Sequence, residues 1–285
     1  MIKDRNGRVI PESSGQSEVL GILYKTFFGR ILLKVLVLPI VSEIIGKFMD
    51  SALSGFLVKP FIERNKIDMR QYREHKYRSF NDFFTRKIKS SARPIADGAD
   101  DLISPCDSKL TVYPISERSV FEIKGSMYSV SDLLKSPATA RRYCGGTCMI
   151  FRLCVDDYHR YCFIDSGIKS ESVYIKGELH TVNPVALEHY NIYKRNSREY
   201  TVLRTDNFGD VVHAEVGAML VGKICNRNLH RFRKGEEKGM FKYGGSTVVL
   251  LFEKDKVTID SDILENSRNG IETVVKYGEK IGKTK

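Results

Sequence analysis

Gly244-Gly245-Ser246-Thr247 places a hydroxyl directly after two residues that carry no side chain. A serine at this place could attack the carbonyl of the peptide bond before it, because glycine exposes its backbone and reaches positive φ at little cost. A free serine hydroxyl is a poor nucleophile, so the attack needs a base and a group that orients the base. The chain carries both residue types upstream, Asp107 in SPCDSKLT and His159 in VDDYHRYCFID. Each of these residues also has a plainer reading. Gly244-Gly245 between two strand-like runs reads as a tight hairpin loop. Asp107 reads as a turn residue, and His159 as a partly buried histidine with its hydrogen bonds satisfied. The two sets of readings imply different molecules: one intact chain, or two chains with a ketone where Ser246 had been.

Chemistry at these positions requires a scaffold to bring them together. A chain of 285 residues, 42% apolar and 28% charged, can bury a substantial core in one or two domains and is too apolar for wholesale disorder. After about residue 100, short β-branched and aromatic runs such as KLTVYPI, CMIFRLCV, DVVHAEVGAMLVGKI and STVVLLFEKDKVTI alternate with Gly, Asn, Asp and Pro. This pattern predicts a mostly β core. Residues 60–90 read as helical, with SFNDFFTRKIKSSARPI a helix closed by Pro94. The ending VVKYGEKIGKTK reads as a short basic tail, mobile at its end. The expected class is α+β, with a helical segment over residues 1–98 and a β-rich core over 99–285.

The net charge of +11 suggests an anionic partner, and residues 1–100 are richest in it, with 18 Lys and Arg against 11 Asp and Glu. No nucleic-acid-binding motif is visible, which leaves a membrane surface. The most apolar stretch, residues 20–49, is interrupted by Lys25, Arg30, Lys34, Glu43 and Lys47 and by Pro39, so it does not read as a transmembrane span. Basic residues beside Phe27, Phe28, Ile31 and Leu32 suit a helix lying in the plane of a membrane surface; a helix packed on the protein's own core has the same pattern. Arg86, Lys87, Lys89 and Arg93 could touch lipid phosphate or form a solvated face. The start of the chain lacks an apolar signal core, which makes a reducing compartment and free thiols the expectation for the six cysteines. With no CxxC pair, no metal site is expected.

Together and in this order, several segments resemble the phosphatidylserine decarboxylase family. They are FNDFFTRKIKSSARPI (80–95), SPCDSKL (104–110), VDDYHRY (155–161), TVNP (181–184), EVGAMLVGKI (215–224) and KGEEKGMFKYGGSTVVLLF (234–252). The last is the most specific, since it joins an ordered run of glycines to a Gly-Ser-Thr cleavage site. The resemblance implies a carboxy-lyase that cuts its own Gly245–Ser246 bond. Ser246 would become a covalent pyruvoyl group, the cofactor, capping an alpha chain 246–285 that stays paired with a beta chain 1–245. The amine of phosphatidylserine would form a Schiff base with that ketone, lose CO2 and leave as phosphatidylethanolamine. Asp107, His159 and Ser246 are the implied catalytic residues.

Many family members carry a second histidine three residues after the one in Tyr-His-Arg, where this chain has Cys162. Either His159, paired with Asp107, does both jobs, or Cys162 contributes as a thiolate; the first is favoured because a cysteine base needs a lowered pKa. The expected setting is the cytoplasmic face of the cell membrane, bound peripherally to anionic lipid, with a homo-oligomer left open. Two other readings remain: a pyruvoyl decarboxylase of a soluble amino acid, and a non-enzymatic basic lipid-binding protein.

Overall fold

The computed structural model describes residues 1–11, 26, 38–118, 120–123, 126–177, 196–218, 223–244 and 246–285. Most of the amphipathic stretch read at 20–49, together with His180, His189 and Gly245, lies outside the described residues.

The elements that matter for the site are, in chain order, helices α1 (Pro39–Asp50), α2 (Val58–Arg64) and α3 (Phe80–Phe84), then strands β1 (Ser108–Pro114), β2 (Thr147–Leu153), β3 (Arg160–Cys162), β4 (Asp210–Val216), β5 (Glu237–Phe241) and β6 (Ser246–Phe252). Among the described residues, eleven strands join into one large sheet whose centre runs β4–β6–β2–β1, all antiparallel. All seven residues of β6, Ser-Thr-Val-Val-Leu-Leu-Phe, are buried. A strand covered on both faces has no need of polar alternation, which is why its sequence is an unbroken β-branched and aliphatic run. Fully burying each such side chain contributes roughly 1.5–3 kcal/mol, so this strand anchors the core. A second sheet of three strands, Ile224–Asn226, β5 and β3, packs on one face of the large one. The contact includes Tyr161 of β3, whose ring lies 6.0 Å from that of His213 on β4.

The hairpin of the plainer reading of Gly244-Gly245 does not form. The strands on either side belong to different sheets: β5 pairs with β3, whereas β6 pairs with β4 and β2. The segment between them is a crossover from the small sheet to the large one. The predicted β-rich core is present.

The rest of the N-terminal reading changes in detail. Residues Ile2–Lys3 pair in parallel with Glu272–Val275 and Val9–Ile10 pairs beside them, so the first ten residues belong to the large sheet. Arg5 ties them down through Asp260 and Asp262. The helix read at SFNDFFTRKIKSSARPI stops after five residues. The Thr85 hydroxyl bonds back to the Asn81 carbonyl at 2.7 Å, and Arg86 turns inward over the rings of Tyr72 and Phe83, at 4.4 and 4.9 Å. Arg86 is buried, and Arg93 is engaged with Asp107, so neither is a solvated lipid-facing cation; Lys87 and Lys89 are exposed. The C-terminal tail is a strand, Lys280–Thr284, held between Val257–Ile259 and Asp101–Ile103.

The helices of the N-terminal layer pack on one another through rings. Phe61 of α2 meets Phe80 and Phe83 of α3 edge-on at 5.1 and 5.9 Å. Ile40, Ile44 and Phe48 of α1, with Leu53 and Phe56 just after it, are exposed.

Candidate active site

Ser246 is the first residue of β6, opposite Leu153 at the end of β2. The chain that leaves β2 at that point runs through residues 154–158 into His159, and His159 leads into β3. The carbonyl of His159 accepts from the Phe241 amide at 2.9 Å, at the end of β5, just before the crossover to Ser246. Both chain paths therefore converge on the same end of the sheet. Side-chain alternation puts Ser246 on the same face as Val248 and Leu250, whose partners on β4 are Glu215 and His213. That is the face covered by the small sheet.

Gly244 sits at φ +128°, a conformation that side chains other than glycine's rarely adopt. This satisfies half of what the sequence implied for the Gly-Gly pair. Ser246 itself is fully buried, and its Oγ has no hydrogen-bond partner in the described structure. The Thr247 hydroxyl beside it is likewise buried and unpartnered. Burying a hydroxyl without a partner costs roughly 1–3 kcal/mol, a cost commonly retained where a group is kept for chemistry.

His159 is also fully buried. Its Nδ1 lies 2.9 Å from the Asp157 carbonyl, and a carbonyl can only accept, so Nδ1 carries the proton. Nε2 then bears a lone pair and has no partner among the described residues. Burial pushes the imidazole pKa down to about 4, so the ring is neutral at pH 7 and Nε2 is available as a base. The Phe84 ring packs on it at a centroid distance of 4.2 Å, and Tyr243, three residues before Ser246, also packs against Phe84, edge-on at 5.4 Å. One aromatic side chain thus connects the candidate base to the segment that carries the nucleophile.

Asp157 is the functional residue that reading the sequence missed, although it stands in the quoted VDDYHRY. Its carboxylate accepts from Lys109 Nζ at 2.6 Å and from the Cys154 amide at 2.7 Å. Burial pushes the Asp157 pKa up, but Lys109 beside it outweighs that and holds it below the usual carboxylate value. These bonds fix the 154–158 loop, and through its carbonyl the loop fixes the tautomer of His159. An acid two residues before a histidine, in a turn, was the only signal in the sequence, and it could not reveal that the main-chain carbonyl would be the working atom.

The expected pairing of His159 with Asp107 does not occur as a hydrogen bond. Asp107 is buried, and Arg93 takes both of its oxygens in a fork, Nε to Oδ1 at 2.8 Å and Nη2 to Oδ2 at 2.6 Å. The Tyr277 amide adds a third bond at 2.8 Å. A carboxylate engaged on both oxygens by a guanidinium has little capacity left for the imidazole. Cys162 is buried, and burial pushes its thiol up to about 12. Its Sγ makes a weak contact with the Ser104 carbonyl, at 3.9 Å, and has the Tyr277 side chain as a second neighbour. It is a thiol at neutral pH, not a thiolate base.

The site therefore combines a buried serine, two residues after a glycine in a conformation that other residues rarely adopt, with a neutral, tautomer-fixed histidine, all within a β core. Those are the features of a chain that acts on its own backbone. A family profile described as phosphatidylserine decarboxylase matches residues 80–283. The chain is 50% identical over 266 residues to phosphatidylserine decarboxylase proenzyme 2 of Clostridium acetobutylicum, covering 93% of this chain and 91% of that one. It is 46% identical over 248 residues to the phosphatidylserine decarboxylase proenzyme of Clostridium tetani, covering 85% and 84%. With that of Ruminiclostridium cellulolyticum it shares 45% over 278 residues, covering 95% and 93%. The chain belongs to the phosphatidylserine decarboxylase family.

Proposed function

We propose that this chain cuts itself between Gly245 and Ser246 and then decarboxylates phosphatidylserine to phosphatidylethanolamine at the membrane surface. The observation that carries the reading is the pair of buried, unpartnered groups, Ser246 Oγ and His159 Nε2, at one end of the sheet.

In the first step, His159 Nε2 takes the Ser246 hydroxyl proton as Oγ attacks the Gly245 carbonyl carbon. The Gly245–Ser246 C–N bond breaks, the proton passes to the departing nitrogen, and an ester replaces the amide. Elimination across Cα–Cβ of residue 246 and hydrolysis with loss of ammonia leave a pyruvoyl group at the head of chain 246–285. The buried position of Ser246 fits such a group, since a ketone there is screened from water by the small sheet. When formed, the pyruvoyl group supplies an electron sink for decarboxylation of an amino acid head group. His159, neutral and at the same end of the sheet as the reacting residue, carries protons at Nε2 in that later chemistry. The two chains stay together because β6 lies between β4 and β2 and is hydrogen-bonded to both.

The substrate is an anionic lipid, and the helical layer suits its location. Ile40, Ile44, Phe48, Leu53 and Phe56 form an exposed apolar patch, with the charged ends of Lys47 and Lys59 nearby in sequence. An apolar face with basic flanks binds in the plane of an anionic bilayer. Among the described residues no helix is long and apolar enough to span a membrane. A peripheral position on the cytoplasmic face of the cell membrane follows as part of this proposal.

The test uses the purified chain with phosphatidylserine-containing vesicles, reading phosphatidylethanolamine formed. Wild type converts the lipid. The double variant Leu53→Ser/Phe56→Ser binds vesicles more weakly and converts lipid more slowly while still cutting itself. Conversion of a soluble amino acid in preference to the lipid would favour a different decarboxylase; no conversion of either by a chain that stays intact would leave only a lipid-binding protein.

A further inference from the structure

The crossover that carries Ser246 is held by the helical layer at two points. The Tyr243 amide donates to Asn81 Oδ1 at 2.9 Å. Asn81 Nδ2 donates in turn to Asp50 Oδ1 at 3.1 Å. Lys242 Nζ closes the circuit, lying 3.0 and 3.1 Å from the two oxygens of the same Asp50. Asn81 is 2% exposed, and all of its side-chain capacity named here is spent on this clamp. Asp50 is the last residue of α1, and Asn81 lies in α3 beside Phe80 and Phe84, which grip the Tyr243 ring at 5.0 and 5.4 Å. Phe84 is also the ring against His159. Five residues of helix thus fix both the base and the segment leading to the nucleophile.

We propose that Asn81, supported by Asp50, is a positioning residue for the self-cleavage step. Asn81 sets the main chain at Tyr243, and that setting carries through Gly244 to the bond that Ser246 attacks. An amide side chain suits the place because one group must accept from a main-chain N–H and donate to a carboxylate at once. The acyl shift demands that the hydroxyl, the carbonyl carbon and the base lie in line, and an error of about 1 Å can cost on the order of 100-fold in rate. The inference rests on the proposed cut at Gly245–Ser246 and adds the residues that aim it.

The experiment follows conversion of freshly made full-length chain into two chains over time, beside the melting temperature of the uncut chain. Asn81→Ala removes both bonds and slows cleavage by about tenfold or more. Asn81→Asp keeps the acceptor for Tyr243 but sets a carboxylate against Asp50, so it cleaves faster than Asn81→Ala even though it is no more stable. Lys242→Met, at a half-exposed position, slows cleavage by about twofold to threefold, as loss of a surface ion pair allows. A purely structural asparagine would give rates that follow melting temperature; the proposal predicts rates that follow the retained acceptor. If Asn81→Ala does not fold, Asn81→Asp and Lys242→Met decide. Wild-type cleavage rates in the folded variants overturn the proposal, whereas a wild type that never cuts itself overturns the underlying function instead.

Discussion

Two groups of buried polar side chains share one face of the large sheet, and they are built in opposite ways. Around Glu215 the charges are paired. Lys238 Nζ lies 2.5 Å from Oε1, Asn226 Nδ2 donates to Oε2 at 3.0 Å, and His213 Nδ1 is 2.7 Å away, all with Glu215 and Lys238 fully buried. Lys238 holds the Glu215 carboxyl down at about 2 against the pull of burial. At the end of the same sheet, Ser246 Oγ and His159 Nε2 have no partners among the described residues. The first group joins β4 to β5 through Glu215, Lys238 and Asn226, with only His213 Nε2 left unpartnered among the described residues. The second keeps its capacity free. Neither burial nor a single unpartnered atom singles out a site; what distinguishes Ser246 and His159 is that a hydroxyl and a tautomer-fixed imidazole stand at the same end of the sheet.

The contrast breaks most visibly at His159. His159→Ala should slow self-cleavage by roughly 100-fold to 10,000-fold, the usual worth of a general base, while Cys162→Ala should cleave at the wild-type rate; time courses on gels decide. If the cysteine variant alone stays intact, the base is misassigned. The pH profile sharpens the same point. Because the folded histidine is held down to about 4, the base form persists as the solution is acidified, and cleavage should fall with a midpoint near that value. A midpoint near 6.5, the ordinary histidine value, would mean that the ring is not the buried neutral base described.

The paired group should respond in the other way. Lys238→Met leaves Glu215 buried without its cation, a loss of roughly 3–5 kcal/mol. Calorimetry should show a large fall in melting temperature, with the folded fraction still cutting itself at close to the wild-type rate. Selective loss of cleavage without loss of stability would move Lys238 from the scaffold into the chemistry.

What the sequence made legible follows from which interactions are local. STVVLLF announced a buried strand because its side chains are β-branched and aliphatic throughout. That it would leave the small sheet at Gly244 and enter the large one was not legible, since strand partners are chosen by distant residues. FNDFF announced a helix, but not that Arg86 would turn onto Tyr72 and end it. Ser246 and His159 were readable as residue types in a recognisable order. The partner of His159 was not, because it is a main-chain carbonyl whose place depends on Lys109 holding Asp157. Asp107 was singled out for its neighbours, yet its fork with Arg93 is a pairing that spacing cannot announce.

The most direct measurement is the intact mass of the purified wild-type chain beside Ser246→Ala. The account predicts two wild-type species, residues 1–245 and a smaller chain 246–285 whose first residue is a pyruvoyl group and not a serine, with Ser246→Ala remaining one full-length chain. A single unmodified full-length mass for the folded wild type would contradict it.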